Sequence, residues 1–186
     1  MKNLAVSQEI ELLKIVSRRL EKAGVPYMIT GSVAANLYAV PRMTRDIDIV
    51  VEMQKGDADR LCGIFKEDFY IDRDSIEEAV ENAGMFNIIH NEYVMKIDFI
   101  IRKEIPYRKL EFDRRRSMEV EGIKMWIASP EDLILSKLFW AKDNFSEMQL
   151  GDVGNLLVTI KDLDRGYLEK WVKSLGLDRV YAKVKS

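Results

Sequence analysis

The chain has 186 residues, of which 47% are hydrophobic and 32% are charged, and its formal net charge at pH 7 is −2. This balance excludes a disordered chain and predicts one globular domain that is large enough to bury a real core. The charge provides no overall basic field for a nucleic-acid partner, so any site for a polyanion must be local.

The chain carries features of a cytoplasmic protein. It has one cysteine, Cys62, which excludes an internal disulfide and is expected to be a reduced thiol. The first twenty residues are amphipathic and include acids, unlike a signal peptide. Apolar runs are too short to span a membrane, and we expect no membrane partner.

The first quarter of the chain predicts a helix, a strand and a second helix. Apolar residues recur at helical spacing over residues 4–23, and Gly24 is a natural C-terminal stop. Residues 25–30, VPYMIT, are a short apolar run that predicts a strand. The segment SVAANLYAV then predicts a helix with Ser32 near its N-terminus, ended by Pro41.

The middle of the chain predicts further strands and helices. Residues 46–52, DIDIVVE, are rich in β-branched side chains and favour a strand. Helices are expected over 55–69 and 75–84. Two strand pairs should follow, one joined through a turn at residues 91–92 and the other around a turn at residues 121–122.

The last third predicts helices only. Ser129 is a capping residue, Pro130 occupies the first turn and acids follow, which is a strong helix start. The predicted fold is therefore α/β (α+β), a mixed β-sheet flanked by helices. We expect an α/β core over residues 1–128 and a C-terminal helical extension over 129–186 that packs on it as a single compact unit.

Three aspartates lie inside apolar strands. Residues i and i+2 of a strand point to one face, so Asp46 and Asp48 aim together while the intervening isoleucines face the core. Asp98, in MKIDFII, lies in an equally apolar strand. If the two strands are neighbours, three carboxylates meet at one cleft and could hold two Mg²⁺ ions, an arrangement used for in-line displacement at phosphorus.

Gly31 and Ser32 form a second candidate feature. A glycine between a strand and a helix lets the backbone approach a ligand closely. The N-terminus of the following helix offers free N–H groups and a positive dipole end, which attract phosphate. Taken singly, each feature has a common structural explanation: Gly-Ser is often a helix cap, a D-x-D pair often binds nothing, and Asp98 could be a charge that protects a strand edge.

The order of these motifs resembles the nucleotidyltransferase superfamily related to DNA polymerase β, whose signature is Gly-Ser, a short gap, D-x-D and a third Asp on a later strand. Here residues 33–45 form the gap. The segments TGSVAANLYAVPRMTRDIDIVV and SPEDLILSKLFWAKDN are similar to the branch that contains the AbiEii-type abortive-infection toxins. The resemblance covers residues 27–157.

The resemblance implies a Mg²⁺-dependent (or Mn²⁺-dependent) nucleotidyltransferase that moves NMP from an NTP to an acceptor hydroxyl. Gly31 and Ser32 would hold the β- and γ-phosphates. The three aspartates would ligate the metal, and Asp98 could act as base toward the acceptor. Lys137 matches a lysine that faces the nucleotide in the toxins, and Asp152 is a looser match to an acid on their next helix.

The same resemblance leaves the biological role open. The acceptor could be RNA, a protein or a small molecule. The protein could be a toxin with a cognate antitoxin, or a catalytically silent domain that binds nucleotides or proteins.

Several basic residues have two explanations. Arg42 and Arg45 could neutralise a triphosphate or pair with nearby acids. Lys96, which should share a face with Asp98, could be its salt-bridge partner or a phosphate contact. The cluster Arg114–Arg116 could guide RNA, although a solvated loop or edge strand is favoured. Trp140 could touch a nucleobase, but packing is favoured for it as for the other tryptophans.

Overall fold

The computed structural model describes residues 2–44 and 46–185. Arg45, a predicted nucleotide contact, lies outside the described residues. In chain order the elements are α1 (Lys2–Ala23), β1 (Tyr27–Thr30), α2 (Gly31–Tyr38), β2 (Asp46–Val51), α3 (Asp57–Phe65), β3 (Phe69–Tyr70), α4 (Arg73–Asn82), β4 (Met85–His90), β5 (Lys96–Ile101), α5 (Pro106–Asp113), β6 (Arg116–Val120), β7 (Ile123–Ile127), α6 (Pro130–Ala141), α7 (Glu147–Thr159), α8 (Arg165–Ser174) and α9 (Asp178–Lys185).

The strands form one mixed sheet in the order β3-β4-β5-β2-β1-β7-β6. β2 pairs with β5 in parallel, and β1 pairs with β7 in parallel, whereas the remaining neighbours are antiparallel. Helices flank this sheet, which confirms the predicted α/β class with a mixed sheet.

On β2 the strand period separates apolar residues, which face the core, from acidic residues. On β2 the residues Ile47, Ile49 and Val51 are buried, as predicted. Phe99 of β5 stacks on Phe86 of β4, with ring centroids 5.1 Å apart. The helices that meet this core contribute buried apolar side chains, among them Leu12, Leu13, Val16 and Leu20 of α1 and Leu61 and Phe65 of α3.

Two elements were missed by the sequence analysis. β3 begins at Phe69, the last residue of a predicted helix, and its two residues are too few to show a strand period. It exists because Phe69 pairs with His90 at the end of β4. α5 begins with Pro106 in its first turn and buries Tyr107 and Phe112. Its sequence is rich in charged residues, and the two aromatic residues are five positions apart, so no repeating apolar spacing marked the helix.

Helix α6 is buried on most of its sides. It packs against α2, α7, α8 and α9, and ten of its twelve residues are buried, including Glu131, Asp132 and Lys137. Ser129 caps it as predicted, because its hydroxyl accepts from the backbone N–H of Asp132 at 3.2 Å. Trp140 on this helix is 69% exposed, so the expectation of core or half-buried packing was wrong for it. The division of the chain after residue 128 stays a prediction.

The basic cluster Arg114–Arg116, which runs from the end of α5 to the first residue of the edge strand β6, contacts the buried acids of α6. Arg114 Nε donates to Asp132 Oδ2 at 2.9 Å, and Arg116 Nη2 donates to Glu131 Oε2 at 3.1 Å. Arg115 lies against an aromatic ring of the neighbouring helix. These ion pairs connect α6 to the edge of the sheet.

Among the described residues, no helix has the length and apolar character needed to cross a membrane.

The capping of α6 leads to a stability prediction. Ser129 is fully buried and also donates to Asp132 Oδ2 at 2.6 Å, so Ser129→Ala removes a cap and leaves a buried carboxylate short of a donor. We expect a loss of about 2 kcal/mol in the free energy of unfolding, measured by urea denaturation. Ser174→Ala, at the exposed end of α8, is the control and should change stability by less than about 0.5 kcal/mol. Equal losses in both variants would contradict the assignment.

Candidate active site

The parallel pairing of β2 and β5 brings two of the predicted aspartates side by side. Asp48 is in register with Asp98, and Asp46 is in register with Lys96. Neighbouring strands lie about 4.8 Å apart, so the two side chains start from adjacent positions on one face. The prediction that the strand of Asp98 borders the D-x-D strand is confirmed.

The three carboxylates differ in exposure and share one ammonium group. The side chain of Asp46 is 58% exposed, whereas that of Asp98 is only 8% exposed. Lys96 Nζ lies 2.7 Å from Asp98 Oδ2 and 3.7 Å from Asp46 Oδ1. Asp98 Oδ1 is buried and has no hydrogen-bond partner among the described residues. A buried carboxylate oxygen in this state has unused capacity for a hydroxyl or a cation.

Gly31 brings the N-terminus of α2 into contact with Asp48. Its φ is +67°, a left-handed conformation that favours glycine, and a Cβ there would lie 2.0 Å from Asp48 Oδ2. Thr30, which precedes the helix, makes no side-chain capping bond within the described part of the chain. The side chain of Thr30 therefore does not compete with an anion for the first N–H groups of α2, and Ser32 follows as the second residue of the helix.

A second cluster joins α2, α6 and α7 around Asp152. Arg42 binds its carboxylate with two hydrogen bonds, of 2.7 Å from Nε and 2.8 Å from Nη2. The same Nη2 donates to Ser32 Oγ at 2.6 Å. Lys137 Nζ donates to Asp152 Oδ2 at 2.7 Å, and both of these side chains are buried. The predicted residues Ser32, Arg42 and Lys137 therefore belong to one hydrogen-bonded cluster around Asp152. This acid was only a loose match to the acid of the toxin branch.

Asn36 fixes the backbone of Arg42. Its side-chain amide donates to the carbonyl of Arg42 at 2.8 Å and accepts from the N–H of Arg42 at 3.0 Å. The sequence analysis did not single out Asn36. Its position one turn after Ser32 on the same helix was the available signal.

The electrostatics connect the two clusters. Burial raises the pKa of Asp48, and the negative charges of Asp98 and Asp46 raise it further. Burial also lowers the pKa of Lys137, against the opposing hydrogen bond and charge of Asp152. Burial would raise the pKa of Asp152, but the hydrogen bonds from Arg42 and Lys137 outweigh it and the pKa is lowered. Lys137 also attracts Asp48, so the buried cation acts on both clusters.

The carboxylate set suits a hard divalent cation in its chemistry. Mg²⁺ takes oxygen ligands, and Asp46, Asp48 and Asp98 supply them from adjacent strands beside a helix N-terminus. As the side chains stand, no three His, Cys, Asp or Glu residues of the described chain are gathered closely enough to hold a metal ion. Lys96 Nζ contacts both Asp46 and Asp98, so an ammonium group lies beside two of these three carboxylates.

The comparisons with known proteins agree with this fold. Residues 2–175 match the family described as nucleotidyltransferases of unknown function (DUF6036). The chain therefore belongs to this family, and it is an enzyme of the nucleotidyltransferase type. Comparison with curated protein sequences gives no match.

Three solved structures resemble the chain. An antigenic nucleotidyltransferase-like protein from Paracoccidioides brasiliensis aligns at a TM-score of 0.64 and 15% identity, covering 98% of this chain and 94% of that one. The antibiotic-resistance factor ANT(2″)-Ia, in complex with adenylyl-2″-tobramycin, aligns at a TM-score of 0.51 and 14% identity, covering 96% and 97%.

The third structure is the lincosamide antibiotic adenylyltransferase LnuA, lincomycin-bound. It aligns at a TM-score of 0.51 and 13% identity, covering 76% of this chain and 91% of that one. Identities this low establish a shared fold and no more. The narrower resemblance to the AbiEii-type branch stays a prediction.

The contact between Gly31 and Asp48 leads to a mutational prediction. In Gly31→Ala the new methyl group would overlap the Asp48 carboxylate in a backbone conformation that alanine resists, so we expect a loss of about 2–4 kcal/mol in the free energy of unfolding. Gly63→Ala on α3, where nothing lies within 4 Å of the new Cβ, should be neutral or slightly stabilising. Urea denaturation compares the two, and a neutral Gly31→Ala would contradict the close approach.

The raised pKa of Asp48 leads to a pH-dependent prediction. Because the folded protein disfavours its charged form, wild-type stability falls as pH rises through that raised pKa. In EDTA, Asp48→Asn should therefore melt higher than wild type at pH 7, by about 2–4 °C per kcal/mol gained, and the difference should shrink toward pH 4. Thermal melts from pH 4 to 8, with the exposed Asp162→Asn as control, measure this. A variant that melts lower at pH 7 would contradict it.

Proposed function

We propose that the protein is a Mg²⁺-dependent nucleotidyltransferase that transfers NMP from an NTP to an acceptor hydroxyl. The observation that carries the proposal is the pairing of Asp48 with Asp98 next to the uncapped N-terminus of α2. Carboxylates and a phosphate-binding helix end are the two parts that phosphoryl chemistry needs at one place.

The triphosphate would bind at the start of α2. The backbone N–H of Gly31 and the hydroxyl of Ser32 belong to this end of the helix, and the dipole of the helix favours negative charge there. Arg42 already donates to Ser32 and is held by Asp152, so its guanidinium is oriented before the nucleotide arrives. Lys137 is oriented by the same acid, and both cations would share their charge with the phosphates.

Asp46, Asp48 and Asp98 would hold the metal. Mg²⁺ bound there supplies Lewis-acid stabilisation of the charge on the transferring phosphate. The unpartnered Asp98 Oδ1 supports this assignment, since a cation or a hydroxyl would satisfy an oxygen that is otherwise buried alone.

Asp98 would also receive the proton of the acceptor. The acceptor oxygen forms a bond to the α-phosphorus, the bond from that phosphorus to the bridging β-phosphate oxygen breaks, and pyrophosphate leaves. The hydroxyl proton passes to the carboxylate of Asp98, which is the least exposed of the three.

ATP and a small-molecule hydroxyl are the first substrates to test. One structural neighbour is a lincosamide adenylyltransferase, and another, ANT(2″)-Ia, is in complex with an adenylylated antibiotic. These two neighbours support an adenylyl donor. The pairing of Arg114 and Arg116 with buried acids weighs against RNA guided by that cluster. Protein and RNA acceptors remain as alternatives in the same assay.

The experiment uses the four NTPs, each labelled at the α-phosphate, with Mg²⁺ and separate pools of small metabolites, protein and RNA. Wild type should transfer label to one pool. Asp46→Ala and Asp48→Ala should lower the rate by at least about a hundredfold, because each removes a ligand needed in the transition state. The exposed Asp162→Ala is the matched control and should retain the wild-type rate. Equal labelling by wild type and both variants would overturn the proposal.

A toxin role with a cognate antitoxin stays a prediction of the sequence resemblance. Expression of wild type should then arrest growth while Asp48→Ala is tolerated, with relief by the neighbouring gene product. Mg²⁺-dependent NTP binding without transfer to any pool would instead favour a catalytically silent domain.

A further inference from the structure

Lys96 occupies an unusual position for a lysine. It is the first residue of β5, it is in register with Asp46, and it shares a face with Asp98 two positions later. Its ammonium group lies 2.7 Å from Asp98 and 3.7 Å from Asp46, and its charge also acts on Asp48. One lysine therefore contacts or influences all three carboxylates of the candidate site.

The charges of this cluster do not balance without a further cation. The three carboxylates carry three negative charges and Lys96 carries one positive charge. A net charge of −2 therefore remains at this half-buried position. Lys137, the buried cation of the second cluster, pairs with Asp152 at 2.7 Å, and only its longer-range charge acts on Asp48. The remaining deficit equals the charge of one divalent ion, and Asp98 Oδ1 is the buried oxygen that stays unpartnered.

The ammonium group of Lys96 is also able to move away from the carboxylates. Its side chain is 41% exposed and carries a flexible four-carbon stem, whereas Asp98 is 8% exposed and fixed in the middle of the sheet. An ion that binds Asp98 Oδ2 or Asp46 must displace the ammonium group, which can then move into solvent or toward a bound triphosphate.

We propose that Lys96 is a resident counter-ion that competes with free divalent cations for Asp46 and Asp98. This inference rests on the proposed function, because it assigns the aspartates to a metal. Lys96 keeps the carboxylates together when no metal is present and weakens the binding of metal alone. Divalent ions then enter with the nucleotide, whose phosphates both bring the ion and accept the displaced ammonium group.

The test measures metal binding without any turnover. Free Mn²⁺ is titrated by electron paramagnetic resonance into nucleotide-free wild type, Lys96→Met, Lys96→Arg and Lys103→Met. Lys103 is exposed in the loop after β5, so its substitution removes the same charge from outside the carboxylate cluster. We expect Lys96→Met to bind Mn²⁺ at least tenfold more tightly than wild type, while Lys96→Arg and Lys103→Met stay near wild type.

Thermal melts give the second readout. In EDTA, Lys96→Met should melt below wild type because the carboxylates repel one another, and Mn²⁺ should raise its Tm by more than it raises that of wild type. If Lys96→Met does not fold, Lys96→Gln replaces it, since its amide retains a donor for Asp98. Equal or weaker Mn²⁺ binding by the Lys96 variant, or no binding by any form, would overturn the inference.

The two proposals fail separately. Tighter Mn²⁺ binding by Lys96→Met in a protein that transfers no label would uphold the counter-ion role and overturn the transferase. Label transfer by wild type together with unchanged Mn²⁺ affinity in Lys96→Met would uphold the transferase and overturn the counter-ion role.

Discussion

The confinement of like charges on one face of the sheet is the constraint on which the site depends. The parallel pairing of β2 with β5 places Asp48 beside Asp98, and the apolar residues between them hold both strands in the core on the opposite face. A shift of one residue in this register would turn the aspartates inward, which the core could not accommodate. The hydrophobic pattern therefore enforces an arrangement that is electrostatically unfavourable by itself.

The surroundings of these carboxylates offset that repulsion. Lys96 contributes an ammonium group from the same strand as Asp98, and α2 directs the positive end of its dipole at Asp48. Burial, followed by the charges of Asp98 and Asp46, still raises the pKa of Asp48, so the nearby positive charges do not fully offset the cost of its charge. Incomplete compensation is common where a site is built to bind a cation or an anion that the fold does not itself contain.

The second cluster depends on the anchoring of α6. Buried acids at its first turn are satisfied by Ser129, Arg114 and Arg116, which fix the helix against β6. With α6 held in this way, Lys137 meets Asp152 in a buried pair that would be costly to break. The pair in turn orients Arg42 toward Ser32, so the edge of the sheet is connected to the start of α2 through one continuous set of contacts.

The sequence by itself determined the parts that depend on local periodicity. Alternation along β2 and β5 indicated which way Asp46, Asp48 and Asp98 point, and capping chemistry located the start of α6 at Ser129. The motif order also led to the nucleotidyltransferase class. Tertiary structure decided what depends on pairing between distant segments: the β2–β5 register, the two-residue strand β3, the contact of Lys96 with Asp46, and the role of Asp152, which lies 110 residues from Arg42 along the chain. The packing of the whole sheet and its helices determines which distant residues become partners, and no local pattern in the sequence predicts them.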